Sequence, residues 1–497
     1  MRANYKFPLS FRNKAVLKPN NYPIFAAMRK KQKERIVFEN LEVIDAAAKG
    51  KAIAKAPDGR VVFLGNAVPG DVADVEIFKK KKGFYEGNAI RFSHLSDKRA
   101  TPVCPHFGVC GGCKWQDLQY EHQLAYKQRE VEENLKRIGK VALPSTMPIL
   151  GSEKQYFYRN KMEFSFSDNK WLTYDQIRSG VEIENKNALG FHIPGMWDKI
   201  LDLEVCFLQQ DPSNGIRDFV KQKAQELGMP FFNLREQSGL LRTLMIRTSS
   251  TGEVMVLIQF FYEDTPLREA LMGALRDAFP KITSLLYVIN PKANDTIYDL
   301  DVEVFHGREY ILEAMEGLQF KVNAKSFYQT NSEQAYELYK VARNFAGLTG
   351  DEVVFDLYTG TGTIAQFVAK DARKVIGVEA VPEAIDAAKD NALNNGIDNV
   401  EFYVGDMRKV FNDDFIDTHG NPDVVITDPP RDGMHPDVVQ QLLQLEAPKI
   451  VYVSCNSATQ ARDLAILDEK YVVTKVQPVD MFPQTHHVEN VVLLEKR

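Results

Sequence analysis

From about residue 335 the apolar positions fall in continuous runs: EVVFDL, KVIGVE, NVEFYVGD, PDVVITD and KIVYVSC. Segments with helical spacing separate them. Runs without polar alternation suit strands covered on both faces, so this region predicts a parallel sheet with helices on each side. The last two runs, YVVTKVQPVDMF and HVENVVLLEK, leave no room for a helix between them and predict an antiparallel hairpin at the sheet edge. Upstream the pattern differs. Between residues 36 and 95 short alternating runs are broken at Asp58-Gly59, Gly65-Asn66 and Pro69-Gly70, the signature of a small β-barrel. In DLQYEHQLAYKQREVEENLKRIG, Leu124, Val131, Leu135 and Ile138 recur at helical spacing, and Gly139 suits a C-terminal cap. Residues 150–325 mix strands such as LLRTLMIRTSS with helices such as PLREALMGALRDAF, an α+β pattern.

The expected architecture is therefore multi-domain. It comprises a basic extension over 1–35, a barrel over 36–95, a central α+β domain over 96–325 and a C-terminal α/β domain over 326–497. A chain of 497 residues exceeds one ordinary core. No apolar run reaches the roughly 18 residues of a membrane span, and the N-terminus lacks an apolar signal core. These features predict a cytoplasmic protein off the membrane, whose thiols stay reduced and serve metals or chemistry more often than disulfides.

Charge adds a local detail. The net charge of -5 argues against a generally basic nucleic-acid binder, yet residues 1–35 hold ten Lys or Arg against one acid, Glu34. That segment reads as a solvated arm, a phosphate-contacting tail, or residues preceding a start at Met28. Lys79 to Lys82, followed by Phe84 and Tyr85, reads equally as a phosphate-and-base contact or as a solvated edge strand.

Four motifs carry chemistry. In DLYTGTGT, Gly360 and Gly362 allow a tight turn after a strand, and Glu379 ends the next strand, where an acid takes ribose hydroxyls. Asp406 ends the third strand, within reach of an adenine amine. No P-loop lysine follows and the spacing is not GxGxxG, which favours S-adenosylmethionine over a nucleotide phosphate or NAD. In TDPPRDG, Asp428 is a polar group on a backbone stiffened by Pro429 and Pro430, and Arg431 stands where amine-methylating enzymes carry a stacking aromatic.

The third motif is VYVSCN. Free cysteine is a frequent core residue, but Cys455 sits at a strand end among polar neighbours. A thiolate there attacks a carbon electrophile. Uracil C5 is too weak a nucleophile to take a methyl group unaided; thiolate addition at C6 makes C5 an enolate carbon. The C5 proton must then leave, and Glu489 in FPQTHHVEN is the candidate base, with His486 and His487 as competitors. The fourth motif, CPHFGVCGGC, provides Cys104, Cys110 and Cys113, with Cys206 the remaining partner. Four thiolates suit zinc or an iron–sulfur cluster, and spacing does not decide between them.

Together CGGCKWQDLQYEHQLAYKQ, YRNKMEFSF, SFYQTN, DLYTGTGT, TDPPRDG, VYVSCN and MFPQTHHVE resemble, in order, the RNA uracil-5 methyltransferases. More narrowly they resemble bacterial 23S ribosomal RNA enzymes with a TRAM domain and a [4Fe-4S] cluster. The resemblance implies an OB-like TRAM barrel that binds RNA, a class I S-adenosylmethionine-dependent methyltransferase domain, and Cys104, Cys110, Cys113 and Cys206 as cluster ligands. It implies cofactor contacts from Gln329, Tyr358, Gly360, Gly362, Thr363, Glu379, Asp406 and Asp428, with Cys455 as nucleophile and Glu489 as proton acceptor. Thr359 departs from the cysteine usual in that glycine loop, and the long gap between Cys113 and Cys206 implies an insertion. A monomer acting on 23S ribosomal RNA is expected; transfer RNA and a non-catalytic RNA-binding or assembly role are the alternatives.

Overall fold

The computed structural model describes residues 36–497; the basic extension read over 1–35 lies outside them. The first unit is a closed barrel of five strands, Ile36–Ala47, Lys51–Lys55, Val61–Leu64, Val72–Lys80 and Phe84–His94. The first strand pairs with both the second and the fourth, and so closes the sheet. Leu41, Val43, Ala54, Val62, Leu64, Val75 and Tyr85 fill the interior. On the outside, Glu86 binds both Lys51 and Lys79. Of the Lys79–Lys82 run, Lys79 thus forms an ion pair on the barrel surface while its side chain stays about half exposed.

Helix α1 (Tyr120–Asn134) follows the cysteine-rich segment. It ends in a wide turn over Leu135–Gly139, and the left-handed cap is Lys140, not the Gly139 expected from sequence. Gly139 is small for another reason: a Cβ there would lie 3.2 Å from the Ala461 carbonyl oxygen. The central sheet has seven strands, in the order Glu303–Gly307, Ile282–Ile289, Val254–Phe260, Leu241–Thr248, Lys161–Ser167, Ala188–Ile193, Met196–Asp202. One face of it shares a core with the C-terminal unit: Met245, Met255, Leu257 and Leu286 pack with Phe320, Leu338 and Phe345.

The C-terminal sheet also has seven strands: β1 (Val353–Leu357), β2 (Lys374–Glu379), β3 (Val400–Val404), β4 (Val424–Thr427), β5 (Lys449–Ser454), β6 (Tyr471–Val479) and β7 (Glu489–Lys496). Their order is β3-β2-β1-β4-β5-β7-β6. β1 to β5 are parallel, as their continuous apolar runs require, and β1 is buried at every residue. β7 inserts antiparallel between β5 and β6, which yields the expected edge hairpin. Helix α2 (Ser332–Ala346) packs on the sheet, and α3 (Thr363–Ala369) starts directly after the glycine turn. Among the described residues no helix is long and apolar enough to cross a membrane.

The strand order leaves a crevice at the carboxyl ends of β1 and β4, where successive strands switch from one side of β1 to the other, and open α/β sheets bind ligands there. Gly362 shapes that crevice. Its φ is +74°, and a Cβ on it would lie 2.6 Å from the Phe402 ring and 2.9 Å from Ala388 Cβ. Gly362→Ala is therefore expected to cost about 1–3 kcal/mol through strain and overpacking. A thermal melt checks this, and a variant as stable as wild type would contradict it.

Candidate active site

The carboxyl ends of the parallel strands carry the sequence-predicted residues. After β1 the backbone turns at Tyr358 (φ +61°) and Gly360 (φ +56°). Thr359 N donates to the Val378 carbonyl at 3.1 Å. Its hydroxyl donates to Asp356 Oδ2 at 2.5 Å. Gly360 N donates to Glu379 Oε2 at 3.2 Å, so the glycine turn closes onto the acid that ends β2. Thr363 opens α3 and is buried. Tyr358 stands among Asp463, Glu379 and Asp406; burial first, then these carboxylates, push its phenol up to about 12. Asp406 lies just past β3 as expected, but its carboxylate is exposed and paired with Arg408 at 2.6 Å.

Gln329 belongs to the loop before α2, and a central-domain side chain fixes that loop. Asn160 Nδ2 donates to the Gln329 carbonyl and to Ser332 Oγ, both at 2.8 Å. Asn331 caps α2 by accepting from Gln334 N, and its Nδ2 donates to the Met481 carbonyl at 2.9 Å. The Gln329 loop is thereby tied to the loop between β6 and β7.

Strand register brings the proposed nucleophile and base together. Ser454 pairs with Asn490 across β5 and β7, so Cys455 and Glu489 occupy the next opposed positions. Asp428 follows β4, the other neighbour of β5, and its N–H donates to the Leu357 carbonyl at 3.3 Å. Glu489 is buried, and burial first, then the Asp428 charge, push its carboxyl up to about 8 against the pull of Arg431. Burial also pushes Asp428 and Asp356 up to about 7 each. Tyr339 on α2 lies beneath these carboxyls, with its phenol raised well above the ordinary range by burial and by their charges.

Cys455 departs from expectation. Reactive thiols generally lie below their ordinary value, whereas here burial, then Glu489 and Asp428, push Cys455 up to about 11. Opposing them is Arg431, whose nearby positive charge favours the thiolate. Sequence reasoning used Arg431 only to exclude amine methylation and missed it as the cation of the site. The residues that hold it were in plain view: Asn456 Nδ2 and Thr459 Oγ1 donate to the Arg431 carbonyl at 3.0 and 3.2 Å. His486 and His487, the competing bases, are each lowered to about 4; burial is the largest cause, and Lys127 and Arg431 add to it.

The four upstream cysteines line one cavity of about 1080 Å³, and no disulfide joins any of the five. The Cys206 segment is stitched to the Cys104–Cys113 loop by Glu204 N, which donates to His106 Nε2 at 3.0 Å. Burial raises all four thiols, with Cys110 pushed up to about 11 and Cys113 to about 12. Among the described residues no set of three or more His, Cys, Asp or Glu side chains is gathered tightly enough for a single metal ion.

The raised Glu489 carboxyl has a thermodynamic consequence. A carboxyl that binds its proton more tightly when folded favours folding at low pH, and that contribution is lost as pH rises from 4.5 through about 8. Glu489→Gln removes the titration. The variant is expected to melt at the wild-type temperature below about pH 4.5 and progressively above it towards pH 8. Parallel melting curves across this range would contradict the assignment.

Comparison with known proteins places this geometry. Residues 303–497 match the family model described as tRNA (Uracil-5-)-methyltransferase. An RNA methyltransferase of Bacteroides thetaiotaomicron, itself uncharacterized, is 60% identical over 454 residues, 91% of this chain and 100% of the relative. A second, from Porphyromonas gingivalis, is 55% identical and covers 91% of this chain and 99% of the relative. Among solved structures, the Pyrococcus abyssi tRNA (uracil-54, C5)-methyltransferase in complex with S-adenosyl-L-homocysteine superposes with a TM-score of 0.71 at 28% identity, covering 91% of this chain and 99% of that one. With its barrel, its β3-β2-β1-β4-β5-β7-β6 sheet and its strand-end residues, the chain belongs to the RNA uracil-5-methyltransferase family.

Proposed function

We propose that the protein methylates C5 of a uridine in RNA through a covalent Cys455–C6 adduct, with Glu489 as the base that ends the reaction. One observation carries this reading: Cys455 and Glu489 face each other across β5 and β7, next to Asp428 and Arg431. S-adenosylmethionine supplies an electrophilic methyl group when bound. The glycine turn at Gly360 and Gly362, with Tyr358, Thr363, Glu379, Asp406, Gln329 and Asp428, is the set that would hold it. The P. abyssi structure supports this cofactor, since it was solved with the demethylated product.

The chain's own groups divide the work as follows. The target base is flipped out of its stack into the crevice. Cys455 first gives up its S–H proton to solvent; the thiolate, steadied by Arg431, then adds to C6, and negative charge spreads over the C5–C4–O4 unit. After methylation at C5, Glu489 takes the C5 proton and the C6–S bond breaks, restoring thiolate and product. A base with its proton affinity near 8 is matched to this step at neutral pH; imidazoles held near 4 are poor acceptors. That contrast favours Glu489 over His486 and His487.

For substrate we propose 23S ribosomal RNA, on the family resemblance of the four-cysteine segment. The transfer RNA reading is favoured by the names of the matched family model and of the P. abyssi enzyme. The barrel over 36–95 is assigned to RNA binding as a TRAM domain, residues 96–325 to the cluster-bearing domain and 326–497 to methyl transfer. The enzyme is read as a cytoplasmic monomer. Cys104, Cys110, Cys113 and Cys206 would hold a [4Fe-4S] cluster; methyl transfer moves no net electrons, so the cluster's role is structural.

Three measurements test the proposal. RNA from a deletion strain is expected to lack a 5-methyluridine at one position, with 23S rather than transfer RNA affected. In vitro, Glu489→Gln is expected to accumulate a methyl-labelled protein–RNA species that survives denaturing electrophoresis, while Cys455→Ala gives neither label nor adduct. A Cys455→Ala variant that keeps activity would end the covalent mechanism. Anaerobically purified protein is expected to be brown, with about four irons per chain and broad absorbance near 400 nm; stoichiometric zinc without iron would reject the cluster.

A further inference from the structure

Among the described residues, one ion pair outside the reacting groups is fully buried on both sides. Lys127 Nζ lies 2.6 Å from Asp480 Oδ1, and both side chains are 0% exposed. Such a pair is weak evidence for stability, because well-packed apolar residues serve a core as well or better. Its surroundings suggest another use. Lys127 Nζ also donates to the Phe482 carbonyl at 3.2 Å, and Phe482 N donates back to Asp480 Oδ1 at 3.1 Å. Tyr120 OH donates to Asp480 Oδ2 at 2.8 Å. Between them on α1, Gln123 accepts from Gln484 N and donates to Gln484 Oε1, both at 3.0 Å. Gln484 has a φ of +67°, and its carbonyl accepts from Lys114 N at 2.8 Å and Trp115 N at 3.1 Å.

Tyr120, Gln123 and Lys127 lie three and four positions apart and so share one face of α1. That face grips residues 480–484, the first half of the loop between β6 and β7. The grip begins one residue beyond Val479, which pairs directly with Glu489. We propose that Lys127 and Asp480, with Tyr120 and Gln123, are positioning residues that set the Glu489 carboxylate against the C5 proton. Helix α1 thereby fixes the geometry of the last chemical step without touching the reacting atoms. The inference rests on Glu489 being the base. It predicts that loosening the grip slows proton removal while leaving RNA binding intact; of the cofactor groups only the Gln329 loop, tied through Asn331 to the Met481 carbonyl, shares the gripped segment.

The test uses the full-length enzyme as purified. Lys127→Met alone strands a buried carboxylate, so the informative variant is Lys127→Met/Asp480→Asn, which removes both charges together. It is expected to melt within about 3 °C of wild type and to keep its KM for RNA. Its kcat is expected to fall at least about tenfold, because a misplaced base loses most of its contribution. Two signatures separate a displaced base from general damage: methyl-labelled adduct builds up, and RNA deuterated at C5 of the target uridine shows an isotope effect on kcat larger than wild type does. Wild-type kcat in the double variant, or a loss of kcat without adduct and without the isotope effect, would overturn the inference. If the double variant does not fold, Tyr120→Phe decides, with a few-fold loss and the same two signatures expected, and wild-type kcat without adduct overturning it. Glu489→Gln run alongside keeps the readings apart. If it turns over normally, the base assignment fails; if it stalls while the grip variants do not, only the positioning role fails.

Discussion

Everything in the candidate site depends on the antiparallel insertion of β7 between β5 and β6. A purely parallel sheet would leave Cys455 as a thiol at the end of β5 with no acid opposite it. The insertion places Glu489 across from Cys455 on one side and across from Val479 on the other. It also buries Glu489 beside Asp428, and that shared burial raises the affinity of Glu489 for protons. The same burial works against the nucleophile, since neighbouring carboxylates disfavour a thiolate. Arg431, held by its carbonyl to Asn456 and Thr459, is a cation whose charge acts on Cys455, Glu489 and His487 alike. On the proposed mechanism the site is a balance between buried carboxyls of raised proton affinity and a cation that opposes their effect on the sulfur.

The rest of the chain holds that balance in place. The loop carrying Gln329 is anchored from the central sheet by Asn160 and from the β6–β7 loop through Asn331. Tyr158 OH donates to the Pro483 carbonyl at 2.9 Å, a further tie to the same loop. The cysteine-rich segment reaches it too, through the backbone of Lys114 and Trp115. A loop that could otherwise drift is contacted by four separate stretches of sequence, which is what a base working at a fixed distance from one proton requires.

Much of this was legible in the sequence, and the limits have physical causes. Continuous apolar runs marked the parallel strands because burial on both faces leaves no polar period. The closing hairpin followed from the lack of helix-length sequence between its strands. Strand-end acids and Cys455 stood out because polar residues at the end of an apolar run have few reasons to be there. The grip of α1 was not legible. Gln123 and Lys127 lie on the buried face of a helix whose apolar positions drew attention elsewhere, and a buried lysine declares itself only once Asp480 is seen beside it. Gly139 looked like a cap because glycine usually is one; its real constraint is contact with Ala461 from a distant helix. The upward shift of Cys455 was not legible because its proximity to Glu489 and Asp428 is a property of the fold.

The most direct test of the central claim is a mass-spectrometric map of the adduct formed on RNA carrying 5-fluorouridine at the target position. Fluorine at C5 cannot leave as a proton does, so an enzyme that works through Cys455 must stop after methyl transfer with its sulfur still bound to C6. The account predicts one modified peptide, containing Cys455 and carrying a methylated fluorouridine. Modification at another residue, or turnover of the fluorinated RNA with no stable adduct, would contradict it.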